Sequence, residues 1–420
     1  MINKRESLTR SIKPIALSIA LLTMASAAPT FAAEPAETLA EAFSGGKPFA
    51  NLRLRYESAE IDNGNIPDAD ALTLRTTFGY ETGSYKGFSV LVEAEDSREV
   101  LGVRDFSVNP AGVRVDQFDT IADPETTELE QAYVQYQAGG FTGKFGRQTF
   151  TLDNHRFVGH VGWRQDRQTF DAVKLNYQKA GFDLTGAYIT QRNRIFAEVA
   201  DVDAEDIILN ASYKAGFGKL VLYSYLLEEE DLVNSTSADA EIDTYGISYT
   251  GSTKAGETTI GYRAEYATQD NESTNTDTDY FNLGASADFG LIKLSLGYES
   301  LGSDDGVDAF ATPLATLHGF NGWADVFLAT PTVGLEDFSA TLDAKFGGGK
   351  FTLAYHDFSA DDAASGDSDD LGSEIDVRYT RDFGKHVYTG IKYADYSDGS
   401  SSASPADTER FWIWAGLKFK

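Results

Sequence analysis

The sequence has no cysteine in its 420 residues, which excludes a disulfide framework and any thiolate metal site. It is poor in proline, with 10, and it has no basic excess: 35 Lys and Arg stand against 65 Asp and Glu. Nucleic acid is therefore not an expected partner, because phosphate binding needs a basic footprint. Nor does the chain carry a long hydrophobic run. Its most apolar stretch, Ile15 to Met24, falls short of the roughly 20 residues that a spanning helix needs. That stretch follows Lys4, Arg5, Arg10 and Lys13 and precedes the small-residue run "ASAAPTFAAE", the pattern of a secretory leader cleaved near Ala32 or Ala33. The leader, 1–33, holds four basic residues and one acid, so 31 basic residues remain against 64 acidic, a formal charge of about −33. An exported chain without disulfides must be stabilised by its hydrogen-bonded architecture alone.

What the chain does have is glycine, 39 residues, and aromatics, 12%, a composition suited to pleated surfaces joined by turns. Strict alternation runs through it. In "ANLRLRYE", Leu52, Leu54 and Tyr56 alternate with Arg53, Arg55 and Glu57, and "ALTLRTTFGY" repeats the pattern, which is the period of a strand with one apolar face. Eighteen such segments are predicted, starting near 49, 71, 88, 127, 141, 169, 181, 206, 219, 242, 257, 279, 291, 337, 350, 374, 386 and 408.

The connections alternate too. Short glycine turns such as "AGG", "KAG", "GGGK" and "DFGK" take turns with long acidic segments near 58–70, 96–126, 149–168, 191–205, 228–241, 269–278, 301–336, 360–372 and 397–408. A sandwich has no reason to sort its loops in this way. A transmembrane β-barrel does, with tight periplasmic turns at one rim and longer external loops at the other. Aromatics near the strand ends, among them Tyr56, Phe88, Tyr136, Phe182, Tyr213 and Tyr298, suit the girdles of such a barrel. The expected fold is an all-β antiparallel barrel of about 18 strands in the outer membrane of a Gram-negative bacterium. Residues 34–48 form a short periplasmic segment and 49–420 the barrel, with lipid and lipopolysaccharide as its surroundings.

One segment stands apart. "GRQTFTLDNHRFVGHVGWRQDRQTFDAV", 146–173, packs four arginines, two histidines, three acids and a tryptophan into an otherwise acidic chain. It resembles the signature of the alginate-export family of outer-membrane barrels: Gly146-Arg147-Gln148, then Asp153, Arg156, Phe157 and Gly159, then Trp163-Arg164, then Thr169-Phe170-Asp171. The stretch 313–337 also resembles that family's large late loop. The closing "RFWIWAGLKFK" is similar to a barrel's last strand, except that Lys420 follows the aromatic Phe419. The resemblance implies a monomer. It also implies export of an acidic polysaccharide such as alginate as an alternative to the uptake of small acids or oligosaccharides.

With the apolar set of each strand facing lipid, the period-2 rule puts Arg53, Arg55, Arg75, Lys174, Lys214, Arg263, Lys293, Lys345, Arg378 and Lys392 on the lumen face. Arg410 and Lys418 fall there too, as do Glu57, Glu93, Glu95, Asp183, Glu265, Asp288, Glu299, Asp343 and Asp376. The lumen is mixed with a modest basic excess, and rings of basic residues favour anions. Segment 149–168 is too long for a hairpin turn and is expected to bend into the barrel mouth. There Arg147, Arg156, Arg164 and Arg167 would face the path, Asp153, Asp166 and Asp171 would hold them, and Phe157 and Trp163 would anchor the loop. The rival reading has the same charges only locking the loop to the rim.

The expected function is a passive porin for small hydrophilic solutes, with either a weak preference for anions such as organic acids or acidic oligosaccharides or a barely selective, water-filled lumen of paired charges; a non-conducting surface barrel used in adhesion or binding is the other class. No cofactor, metal site or catalysis is expected. His155 and His160 lack the spacing of a helical zinc site, and His356, Asp357 and Ser359 read as a strand end beside an acidic loop rather than a catalytic set. The acid clusters "LEEEDL", "NTDTDY" and "SADDAASGDSDD" read as solvated loops, with divalent-ion bridging to lipopolysaccharide as their rival role.

Overall fold

The computed structural model describes residues 36–64, 66–230 and 241–419; the leader, 1–33, and most of the acidic segment 228–241 lie outside them. Alternating polar and apolar side chains leave one face of each segment for lipid and one for the interior, so the segments form strands. In chain order these are β1 (Lys47–Ile61), β2 (Ala69–Glu81), β3 (Phe88–Asp105), β4 (Thr126–Ala138), β5 (Phe141–Gln148), β6 (Thr169–Lys179), β7 (Phe182–Asn193), β8 (Val202–Ala215) and β9 (Gly218–Glu230). They continue with β10 (Glu241–Ala255), β11 (Thr258–Asn271), β12 (Thr276–Asp288), β13 (Ile292–Leu301), the two-residue pair β14 (Ser303–Asp304) and β15 (Asp308–Ala309), and then β16 (Leu335–Phe346). The last four are β17 (Gly349–Ser359), β18 (Asp370–Phe383), β19 (Val387–Ser397) and β20 (Thr408–Phe419).

Apart from β14 and β15, which pair with each other, the strands make one 18-stranded sheet. Each pairs antiparallel with its chain neighbours, and β20 returns to β1 in register from Ala50↔Phe419 to Ile61↔Thr408. The sheet is thus a closed barrel with no free edge, as hydrocarbon requires. Every expected strand start lies within four residues of the observed one.

The strand ends differ more. β3 runs to Asp105, and β11 and β12 pair as far as Asn271↔Thr276, so the expected long loop 269–278 is a tight turn. Beyond the bilayer both faces of a hairpin meet polar surroundings, and the apolar stripe that marks a strand in sequence disappears.

The two faces are inverted relative to a soluble protein. Outward residues such as Leu54, Phe78, Phe145, Leu222, Leu296 and Ile413 are exposed, while inward Arg55, Glu57, Glu95, Asp206, Glu374 and Asp376 are buried. At the short-turn rim, outward rings pair, Phe88 with Tyr136 at 4.7 Å and Phe182 with Tyr213 at 4.5 Å. At the long-loop rim, Tyr56, Tyr266 and Tyr298 donate to Asp70, Asp279 and Glu336. The turn between β4 and β5 needs glycine: Gly139 and Gly140 have φ of 57° and 88°, and a Cβ on Gly140 would lie 2.4 Å from the Gln178 carbonyl oxygen. A six-residue helix, α1 (Leu39–Ser44), sits against the β2–β3 turn, where the Gly83 N–H donates to the Ala42 carbonyl at 2.8 Å.

The hydrophobic core lies inside the barrel. Loop residues Phe150, Val158, Phe310, Leu314 and Phe327 pack there with inward Ile189, Ile208, Tyr223, Tyr280 and Trp412 of the wall. A second cluster, of Ala59, Ala69 and Ala71 with Phe106, Val108 and Ile121, docks residues 106–125 against β1 and β2.

Candidate functional site: a constriction of inward loops

Three long loops fold into the lumen, residues 106–125, 149–168 and 302–334. The last two run side by side. Val158 and Leu314 form a parallel bridge, the Gly159 N–H donates to the Leu314 carbonyl at 2.7 Å, and the Thr316 N–H donates to the His155 carbonyl at 3.0 Å. Gln168 closes the base of loop 149–168 by donating to the Gly159 carbonyl at 3.1 Å.

Charged side chains then fix this pair of loops to the wall. Arg156, 3% exposed, donates to Glu299 of β13 at 2.9 Å, to Asn321 at 3.0 Å and to Thr312 at 3.2 Å. Arg164 donates to Glu57 of β1 at 2.9 and 3.1 Å and to Asp325 at 2.6 Å. Burial opposes the charge on both guanidiniums, yet Glu299 on Arg156, and Glu57, Asp325 and Asp123 on Arg164, outweigh it and raise their pKa values. Both stay cationic at any physiological pH.

The wall reaches back in turn. Arg53 donates to the Gln165 side chain at 3.0 Å and to the Trp163 carbonyl at 2.9 Å. Arg55 pairs with Asp123, whose other oxygen accepts from the Gln165 N–H at 2.7 Å. Asp123 thereby ties loop 106–125 to β1 and to loop 149–168. Burial opposes its charge, but Arg55 and Arg164 hold its carboxyl below the usual carboxylate range.

Aromatic rings fill the space between. Phe157 sits 5.2 Å from both Tyr223 and Tyr280 and 5.9 Å from Phe310. Trp163 stacks on His318 at 4.6 Å with planes 3° apart and meets Trp412 and Trp414 edge-on. Lys392 lies over the Trp163 and Trp323 rings at 4.4 and 3.9 Å, and its Nζ is 2.5 Å from His318 Nε2. His318 Nδ1 is 2.7 Å from Asp325. The lysine can only donate to Nε2, so the ring proton sits on Nδ1 and faces Asp325. Burial pushes the His318 pKa down to about 3.

Of the four arginines expected along the path, Arg156, Arg164 and Arg167 are inside. Arg167 pairs with Glu93 at 3.1 Å and Glu130 at 2.7 Å. Arg147 is not inside. It lies opposite Asp171 on β5–β6 and pairs with it at 2.8 Å; alternation puts the two on the outer face with Phe145 and Val173. The acids placed to hold the arginines also differ from expectation. Asp153 pairs with Lys219 at 2.6 Å and accepts from Asn210 at 2.7 Å, and Asp166 meets no arginine within ion-pair distance. The acids that hold the arginines come from the wall and from Asp325. Sequence pointed to the cations because loop 149–168 is locally basic, but nothing in the linear order marked Glu57, Glu299 or Asp325 as their partners.

The ten basic residues expected on the lumen face lie there by alternation, though several are spent on pairing, Arg55 with Glu57, Arg75 with Glu95 and Arg263 with Glu265. The rings of His155 and His160 come within 5.7 Å of each other, and burial, with Arg167 nearby, pushes the His160 pKa down to about 4. His356 faces inward to Asp337 at 2.9 Å, whereas Asp357 accepts from outward Tyr355 and Ser359 donates to Glu336, so these three do not assemble a catalytic set.

On the side of the short turns the loops leave two cavities, the first mainly polar and the second mainly apolar with charged groups around it. One, of about 370 Å³, is lined by Lys144, Lys174 and Lys219 with Asn176, Asn210, Asp153 and Asp183. The other, of about 670 Å³, is lined by Arg75, Arg167, Lys385 and Lys418 with Glu81 and Glu93.

A closed barrel of 18 strands, apolar outside and narrowed by loops pinned within, defines a transmembrane β-barrel of the outer-membrane type. A family model described as Alginate export matches residues 49–299, and the chain belongs to that family. Among solved structures it is similar to OccK9 (OpdG) of Pseudomonas aeruginosa, at 15% identity and a TM-score of 0.68, covering 90% of this chain and 100% of that one. It is also similar to OpdK of that organism, solved with vanillate, at 11% identity and 0.68, covering 90% and 99%. OccK2 (OpdF) in complex with glucuronate is similar at 15% identity and 0.64, with the same coverage. Comparison with curated proteins found no match.

Proposed function

We propose that the chain is a passive porin for small hydrophilic, preferentially anionic solutes of the size of sugar acids and aromatic acids. The observation that carries this reading is the constriction itself: loops 149–168 and 302–334, pinned to β13 through Arg156 and to β1 through Arg164, above cavities to which Lys144, Lys174 and Lys219 and, in the other, Lys385 and Lys418 contribute. Basic residues along a narrow path favour anions. Two relatives of the same fold were solved with vanillate and glucuronate, which supports a carboxylate as the solute. No catalytic role, cofactor or nucleic-acid partner belongs to this reading, which takes the barrel as a monomer in lipid and lipopolysaccharide, with 1–33 as the export leader and 34–48 on the periplasmic side.

The family's description points to a second reading, export of an acidic polysaccharide. Loops packed across the interior favour small solutes over a polymer. Single-channel recording of the refolded protein in planar bilayers is the test. Small, discrete conductance steps with a reversal potential on the anion side are expected; silence after clean refolding, or clear cation preference, sinks the reading. Blockade by long alginate chains but not by glucuronate would favour the polymer.

A further inference from the structure

One group of carboxylates where loop 149–168 meets the wall carries more negative charge than the arginines beside it balance. Glu95 on β3, Glu130 on β4 and Asp166 in loop 149–168 each offer an oxygen within 4.8 Å of the others, and all three are buried. The register of β3 with β4 passes from Glu93↔Gln131 to Ala94↔Leu129 and skips Glu130. The resulting bulge turns Glu130 inward beside Gln131, the kind of re-aiming that bulges perform.

Asp166 is fully buried, and neither of its oxygens has a hydrogen-bond partner; the Ala197 N–H approaches without reaching hydrogen-bonding geometry. Both oxygens of Glu95 lack one as well, as does one of Glu130. An ionised carboxylate buried without partners is strongly unfavourable, so this set must either take up protons or meet positive charge that its hydrogen bonds do not supply. The cations in ion-pair reach fall short. Arg167 pairs with Glu93, Glu95 and Glu130, and Arg75 stands 4.0 Å from Glu95. Four carboxylates against two guanidiniums leave a charge of −2.

We propose that Glu95, Glu130 and Asp166 bind one divalent cation, calcium by preference, which clamps loop 149–168 to the β3–β4 wall. All the donors are carboxylate oxygens, the hard ligands that calcium and magnesium take. Calcium accepts irregular oxygen geometry and dedicated carboxylate cages, whereas magnesium demands a near-octahedral shell and keeps several of its waters. The sequence holds no sign of the site, since the bulge and the inward loop bring together residues 95, 130 and 166 from three separate segments.

The test is calcium titration of the full refolded barrel in detergent, stripped with chelator, followed by calorimetry and by thermal unfolding. Wild-type protein should bind one calcium in a step that raises the melting temperature. Asp166→Asn should weaken that step at least tenfold while keeping the heat-modifiable migration of a folded barrel, and Glu130→Gln serves if the first variant does not fold. Asp361→Asn with Asp362→Asn, in the outer acidic loop 360–369, should leave the step intact. The inference is overturned if stripped wild-type protein binds no calcium, or if Asp166→Asn and Glu130→Gln bind it as tightly as wild type.

Discussion

Arg156 is paired with one buried acid and Arg164 with two, and this decides what their removal does. Taking away one partner of a buried pair leaves the other charge uncompensated, at a cost of about 3–5 kcal/mol. Arg156→Ala strands Glu299; Arg164→Ala leaves Glu57 to Arg55 and Arg410, and Asp325 to His318, so its cost falls at the lower end. Because the 18-strand ladder does not depend on either contact, the cost falls on loop closure. Each variant should therefore form a barrel, show larger and noisier conductance, and expose loop 149–168 to trypsin; unchanged conductance would mean that neither arginine shapes the path.

His318 adds a dependence on pH. Its folded pKa is pushed down to about 3 by burial, against about 6.5 for a free imidazole. Between those values the ring released by loop opening takes up a proton that the closed form refuses, so closure weakens as the pH falls through that window. Asp325, held below the usual carboxylate range by the His318 ring and Arg164 despite its burial, loses its contribution in the same direction only at still lower pH. Opening should rise by up to about tenfold per pH unit below 6, read as conductance in acid, and His318→Gln should flatten that dependence. An equally steep dependence in the variant would assign the effect to other groups.

Among the elements, strands and loops differed in what their residues disclosed. Strand identity was legible because Leu52, Leu54 and Tyr56 must face lipid while Arg53, Arg55 and Glu57 must not, and that demand repeats along every bilayer crossing. The inward bend of loop 149–168 was legible from its length and its arginines. The inward course of 106–125 and 302–334 was not, because Asp123 and Asp325 look like any other acid of the outer loops until Arg55 and Arg164 are placed beside them. The outward turn of Arg147 follows from the parity it shares with Phe141 and Phe145, a strand rule that the run of arginines in the adjoining loop masked. Between the two central loops the close approach depends on glycine: a Cβ on Gly159 would fall 2.1 Å from Thr316 Oγ1 and 2.5 Å from its backbone nitrogen. Gly159→Ala should push the loops apart at a cost of about 1–3 kcal/mol, typical of overpacking. Faster tryptic cleavage within 149–168 in a barrel of unchanged migration would show it, and wild-type cleavage rates would refute it.

At the scale of the whole molecule, charge is sorted by position. The chain carries a net −30, yet Lys144, Lys174, Lys219, Lys385 and Lys418 stand at the cavities inside the loops, and outer connections hold dense acids, as in "SADDAASGDSDD" and the group Glu60, Asp62, Asp68, Asp395, Asp407 and Glu409. An anion approaching from outside meets repulsion before it meets the basic path. Repulsion between exposed charges is screened over a Debye length, about 30 Å at 0.01 M salt and about 3 Å at 1 M, whereas side chains lining a narrow interior act at contact distance and are screened much less. Anion selectivity should therefore strengthen as salt rises, opposite to a pore whose selectivity comes from its mouth. Reversal potentials at a fixed tenfold KCl gradient, measured from low to high absolute concentration, give the answer. A shift toward anions at high salt places the selective charges within the loops, and a shift toward cations places them at the rim.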